Sequence, residues 1–243
     1  MGIAPRERLS PRFFKFLLIL LFPLAATACG GRGSSTTSPT VAIDFGQNIP
    51  SKVTAIGDSI TSGVPGLTPG PPYPSLLQQM LRSVNPQAQV INRGVGGQRT
   101  DQGLGTVDFA LATDHPGFMT IMEGTNDVRQ FVPLDQAAAN LRQMVRDAKA
   151  NKTVPILATI PREVGAASFF EDDVVALNVL IRQVASQENV TLADVFAALP
   201  DETYFVNDGF HPSSKGADAI ATTFDGALLR AGYPIAQFAR RAR

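Results

Sequence analysis

The chain has 243 residues, enough for one domain of good size or two small ones. Hydrophobic residues make up 44% and charged residues only 17%, which supplies a core and excludes a disordered or charged scaffold. Twenty-one basic residues cancel twenty-one acidic ones, so no global field favours nucleic acid. One cysteine excludes an internal disulfide and any multi-cysteine metal site, and two histidines, His115 and His211, exclude a His-rich zinc centre.

Residues 1–28 read as an export signal rather than as part of the fold. Arg6, Arg8, Arg12 and Lys15 form a positive start, followed by an apolar run from Phe16 to Ala28. That run contains Pro23 and falls short of the roughly 20 residues a membrane-spanning helix needs. It ends in Ala26-Thr27-Ala28-Cys29-Gly30, which resembles the lipobox of bacterial lipoproteins, with Ala26 where that pattern prefers Leu. The resemblance implies that Cys29 is lipidated and becomes the new N-terminus; the alternative is an ordinary signal peptide cleaved near Ala28. Residues 29–50 open with a Gly/Ser/Thr-rich stretch and read as a flexible tether. The expected location is export, with a lipid anchor in a bacterial membrane and the domain facing the periplasm or the cell exterior.

From Ser51 the chain alternates strand and helix. Val53–Gly57 is a first strand, and Tyr73–Val84 a helix with Leu76, Leu77, Met80 and Leu81 on one side. Gln89–Asn92 is a second strand, Asp101–Thr113 a short helix and Phe118–Met122 a third strand. Leu134, Ala137, Ala138, Leu141, Met144, Val145 and Ala148 make one apolar helical stripe before a fourth strand at Val154–Ile160. Val174, Leu177, Leu180, Ile181 and Val184 stripe another helix, Val190–Phe196 is strand five, and Ala217 to Leu228 mark the last helix. Apolar strands separated by amphipathic helices predict one α/β domain over residues 51–232, a five-stranded parallel sheet with helices on both faces. Residues 233–243, with Arg240, Arg241 and Arg243, read as a solvated tail.

Chemistry is expected where the strands end, because loops at the carboxyl edge of an open parallel sheet converge on one crevice. Strand one runs into Gly57-Asp58-Ser59-Ile60, strand two into Asn92-Arg93-Gly94-Val95-Gly96-Gly97, and strand three into Gly124-Thr125-Asn126-Asp127. Asp208-Gly209-Phe210-His211-Pro212 stands just before the last helix. A serine hydroxyl needs a neighbouring base, and His211 is the credible one, because His115 lies in a turn entering strand three at the opposite edge. Asp208, three residues earlier, can hold the imidazole tautomer. Gly97 can offer an unhindered N–H and Asn126 an amide to an oxyanion, with the Ser59 N–H as a third donor. Asp58 and Asp127 read as acceptors that hold loops, and Arg93 as an exposed arginine. The glycine cluster is not a dinucleotide fingerprint, since Arg99 stands where the last glycine would be, and Glu123 counts for little without it. No Gly-x-Ser-x-Gly elbow occurs.

These four blocks, in this order from Val53 to Leu229, resemble the SGNH hydrolases, which include the GDSL esterases and lipases. The resemblance implies a three-layer, flavodoxin-like sheet of order 2-1-3-4-5. It also implies a catalytic set Ser59, Asp208 and His211, with Ser59, Gly97 and Asn126 as oxyanion donors. The expected activity is hydrolysis of carboxylic esters by a serine esterase needing no cofactor and no metal, acting as a monomer on a small-molecule, lipid or sugar ester. The alternatives are a deacetylase or acyltransferase of envelope carbohydrates with the same residues, and a non-catalytic surface lipoprotein on this fold. Ser62–Pro74 and Arg162–Phe170 are the expected pocket walls; Phe169, Phe170 and Phe210 line an acyl slot or belong to the core.

Overall fold

The computed structural model describes residues 42–234, and Cys29, residues 1–28 and the arginines near the C-terminus lie outside them. Five strands, β1 (Ile49–Gly57), β2 (Gln89–Gly94), β3 (Pro116–Met122), β4 (Val154–Ala158) and β5 (Thr191–Ala193), pair in parallel in the order β2-β1-β3-β4-β5. The sheet is therefore the expected one. β3 is central, and all seven of its residues are buried.

Alternation along the strands feeds two cores. Val53, Phe118, Met122 and Ile156 face α2 (Tyr73–Val84) and α8 (Ser214–Arg230), where they meet Leu77, Leu81, Ile220 and Phe224. Ile56, Met119, Ile121 and Leu157 face the opposite layer of α3 (Thr100–Asp114), α5 (Leu134–Ala150) and α6 (Glu171–Gln187). That layer receives the predicted stripe of α5, with Leu141, Met144 and Val145 fully buried. Three short helices, α1 (Ser59–Ser62), α4 (Thr125–Arg129) and α7 (Val195–Ala198), sit in the loops after β1, β3 and β5.

The domain is longer at both ends than the expected 51–232. β1 starts at Ile49, the Phe45 ring packs 5.5 Å from Phe118, and Asn48 donates to the Asn151 carbonyl at 2.7 Å. The stretch before Ser51 thus enters the fold rather than remaining tether. Tyr233 is 3% exposed, and its hydroxyl donates to the Ser51 carbonyl at 2.9 Å, so the tail starts later than 233. Strand five is shorter than Val190–Phe196, because the Asp194 side chain accepts the Ala197 N–H and turns the chain into α7. Strand four stops before Ile160, whose N–H and C=O both pair with the buried Asn178 amide of α6.

Candidate active site

Ser59 follows β1 directly, as the first residue of α1. The Asp58 side chain caps that helix by accepting the Ile60 N–H at 2.8 Å, which fixes the half-buried Ser59 at the carboxyl edge. β1 lies between β2 and β3, so Ser59 stands at the point where the strand order reverses. His115 is exposed at the other edge, in the turn before β3, as expected.

The Asp208–His211 turn reaches Ser59 from the far end of the chain. Asp208 Oδ1 accepts the N–H groups of Phe210 (3.1 Å) and His211 (3.0 Å), which folds the turn on its own first residue. Asp208 Oδ2 lies 2.7 Å from His211 Nδ1, and His211 Nε2 lies 2.8 Å from Ser59 Oγ. Burial pushes the Asp208 carboxyl up, but the His211 ring and the two N–H donors outweigh it and hold the group below its ordinary value. An ionised Asp208 accepts from Nδ1, which leaves Nε2 to accept the Ser59 hydroxyl proton.

Asn126, in the first turn of α4, points its amide at the Gln98 carbonyl (2.9 Å) and at Asp58 Oδ2 (3.3 Å). Gly97 sits at φ +77°, with open space where a Cβ would be, and its N–H and that of Ser59 find no acceptor among the described residues. Asp127 accepts the Thr100 N–H and hydroxyl at 2.9 and 2.5 Å, tying α4 to the start of α3. Asp58 and Asp127 thus hold loops, as the sequence suggests.

Sequence reasoning passed over Glu123. Its side chain is wholly buried, with Oε1 accepting from Gln98 Nε2 at 2.6 Å and Oε2 unpartnered. Burial raises the carboxyl well above its ordinary value, and the nearby Asp58 and Asp127 add to that. Asp58 is raised to about 6, again chiefly by burial. Despite these three carboxyls, no group among the described residues is arranged to hold a metal ion. Strand alternation could have flagged Glu123, since it continues the inward face of Met119 and Ile121.

Arg93 is not the exposed arginine expected. It is half-buried, pairs with Asp114 at 2.5 and 3.1 Å, and covers the Phe109 ring. The aromatic residues divide: Phe169 is 77% exposed, so it is not core, while Phe170 and Phe210 flank the guanidinium of Arg129 at 4.9 and 3.9 Å. Of the two expected walls, Ser62–Pro72 frames a small cavity, and the segment from Arg162 packs behind the histidine turn through Val164.

This parallel sheet, with a serine after its first strand facing a histidine from the loop before the last helix, defines a protein of the three-layer α/β class. The chain belongs to the GDSL-like Lipase/Acylhydrolase family, whose model matches residues 55–219. It is similar to a thioesterase 1/protease 1/lysophospholipase L1 of Escherichia coli, 26% identical over 172 residues, covering 68% of this chain and 77% of the relative. An arylesterase of Vibrio mimicus is 25% identical over 177 residues, 70% of this chain and 84% of the relative. Among solved structures, an acetyl xylan esterase from Geobacillus stearothermophilus superposes with a TM-score of 0.59 at 25% identity. It covers 76% of this chain and 96% of its own.

Proposed function

We propose that the chain is an exported serine esterase in which Ser59 is the nucleophile, His211 the base and Asp208 its orienting carboxylate. The observation that carries this reading is the hydrogen-bond chain from Asp208 through His211 to Ser59, closed between residues 152 positions apart. His211 Nε2 takes the Ser59 proton as Oγ attacks the ester carbonyl carbon. The oxyanion then meets the N–H groups of Ser59 and Gly97 and the Asn126 amide, which exchanges its longer contact with Asp58 for the new one. Collapse of the tetrahedral species expels the alcohol, protonated by His211. Water, activated by the same imidazole, releases the acid and restores Ser59. The reaction takes water as its second substrate and uses a single chain.

The relatives bear names that span thioesters, phospholipid esters, aryl esters and acetylated sugars, so the acyl carbonyl is the shared element. Labelling with a fluorophosphonate probe tests the reading. Labelling and ester turnover that both vanish in Ser59→Ala support it, whereas a Ser59→Ala protein that still turns over esters rejects it. Rates on p-nitrophenyl esters from acetyl to palmitoyl, beside acetylated sugars, then place the substrate.

We also propose that Cys29 carries a lipid anchor. The motif supports this, and two acyl chains would give stable attachment where one is marginal. The described chain enters the fold at the amino end of β1, whose nine residues put Ser59 roughly 25–30 Å away at about 3.3 Å per residue. Fusing residues 1–50 to a reporter tests the anchor. Membrane recovery and fatty-acid labelling that are lost in Cys29→Ser support it, and a soluble, unlabelled reporter with Cys29 intact rejects it.

A further inference from the structure

The turn that carries His211 is closed by its own backbone, with the Val206 N–H donating to the His211 carbonyl at 2.9 Å, and it must present an imidazole to Ser59 within hydrogen-bond distance. Two further contacts tie it to the loops after β3 and β4. Behind it, the Val164 N–H donates to the Gly209 carbonyl at 2.8 Å. Gly209 sits at φ +81°, and a Cβ there would lie 2.0 Å from the Val164 oxygen, so only glycine fits that seam.

The second is a side chain. Arg129 closes α4, the helix that opens with Thr125 and Asn126. Its guanidinium lies 3.9 Å from the centre of the Phe210 ring, and that ring lies 4.1 Å from the His211 ring. Phe170 covers the guanidinium at 4.9 Å. Arg129 Nη1 donates at 2.7 Å to Oε2 of Glu163, a side chain with no exposed surface. The Glu163 N–H is in turn held by Glu171 Oε2 at 2.7 Å, which anchors the loop to α6. One planar cation therefore joins the helix of Asn126, the loop of Glu163 and the neighbour of His211. A lysine could meet Glu163 but could not also cover a ring with a flat face.

We propose that Arg129 is a positioning residue that fixes His211 relative to Asn126, by gripping Phe210 on one side and Glu163 on the other. The inference rests on the esterase reading above. It does not give Arg129 contact with substrate, so its loss should slow the chemical step and leave substrate affinity alone. Arg129→Ala should lower kcat by about 10–100-fold with KM within about twofold, and slow fluorophosphonate labelling of Ser59 in parallel. Millimolar guanidinium should restore part of kcat in that variant, and Arg129→Lys should recover less than guanidinium does. Removing one partner strands a buried charge and can unfold the chain, whereas replacing both need not. The double variant Arg129→Met/Glu163→Gln should therefore melt near the parent temperature and still be slow.

Full kcat in the folded double variant would overturn the proposal. So would a rise in KM at constant kcat, which would make Arg129 a substrate-binding group. Failure of the esterase reading shows elsewhere, as turnover that survives Ser59→Ala, so the two outcomes are separable.

Discussion

The carboxyl that faces the imidazole and the carboxyls buried around the site behave in opposite ways. Glu163, behind the histidine turn, belongs with the buried ones and is raised to about 7, chiefly by burial. At the sheet edge, Asp58, Glu123 and Asp127 are buried together beneath Asn126, and burial raises all three. At the histidine turn, Asp208 is also partly buried but is held below its ordinary value. The difference lies first in depth, since the three at the sheet edge have almost no exposed surface while the Asp208 side chain is 26% exposed, and the donors add to it. Asp208 receives the imidazole and two N–H groups, while one oxygen of Glu123 has no partner. A carboxylate that must steady a developing imidazolium has to stay ionised, and the turn supplies the donors that keep it so. The carboxyls at the sheet edge shape loops, and a raised proton affinity costs that role little.

If the division holds, the largest loss should come from the atom that links the sheet edge to the histidine turn. Ser59→Ala should cut kcat for a p-nitrophenyl ester by about 10⁴-fold or more, with an unchanged circular dichroism spectrum. Ser59 is half-buried, and His211 is its one side-chain partner among the described residues. Asp208→Asn comes next, at about 10³–10⁴ in kcat. An asparagine can still accept the two N–H groups through Oδ1, so the turn should keep its shape. Its NH₂ would face Nδ1, however, forcing the proton to Nε2, where it cannot take another from Ser59. A loss below tenfold would mean that Asp208 only shapes the turn. Asn126→Ala should lower kcat by about 10²–10³, the usual cost of one oxyanion donor. An effect confined to KM would make Asn126 a substrate-holding group instead.

The same contrast explains what was legible in the sequence. Ser59, Gly97 and Asn126 stand at strand ends, where periodicity alone places them on one edge, and Asp208 and His211 form a local motif. The sheet order came with the family resemblance. The brace on the histidine turn was not legible, because Arg129 and Glu163 are 34 positions apart and meet only when the loops after β3 and β4 close. Nothing in either local sequence marks them. Arg93 was misread for the same reason: its partner Asp114 lies at the far end of α3, 21 positions on. The start of β1 was hidden by Pro50, Ser51 and Lys52, polar or breaking residues that look like linker until Phe45 and Tyr233 pack around Phe118.

The smallest effect tests the sheet-edge carboxyls through stability rather than catalysis. Asp58 is raised from 3.8 to about 6, so in that range the folded chain keeps a proton that the unfolded chain releases. Folding stability should therefore fall as pH rises through that window, the reverse of what a carboxylate with a depressed value such as Asp208 contributes. Asp58→Asn removes the titration. It also sets an NH₂ against the Asn126 amide, which adds a constant offset, so only the change with pH is informative. The melting temperature of the parent minus that of Asp58→Asn should drop by on the order of a few degrees between pH 4 and pH 7. Most of that drop should come below about pH 6, because above it Asp58 is ionised in both states. A difference that rises with pH instead would mean that ionised Asp58 is stabilised in place, as Asp208 is, and the contrast between the two kinds of carboxyl would fall.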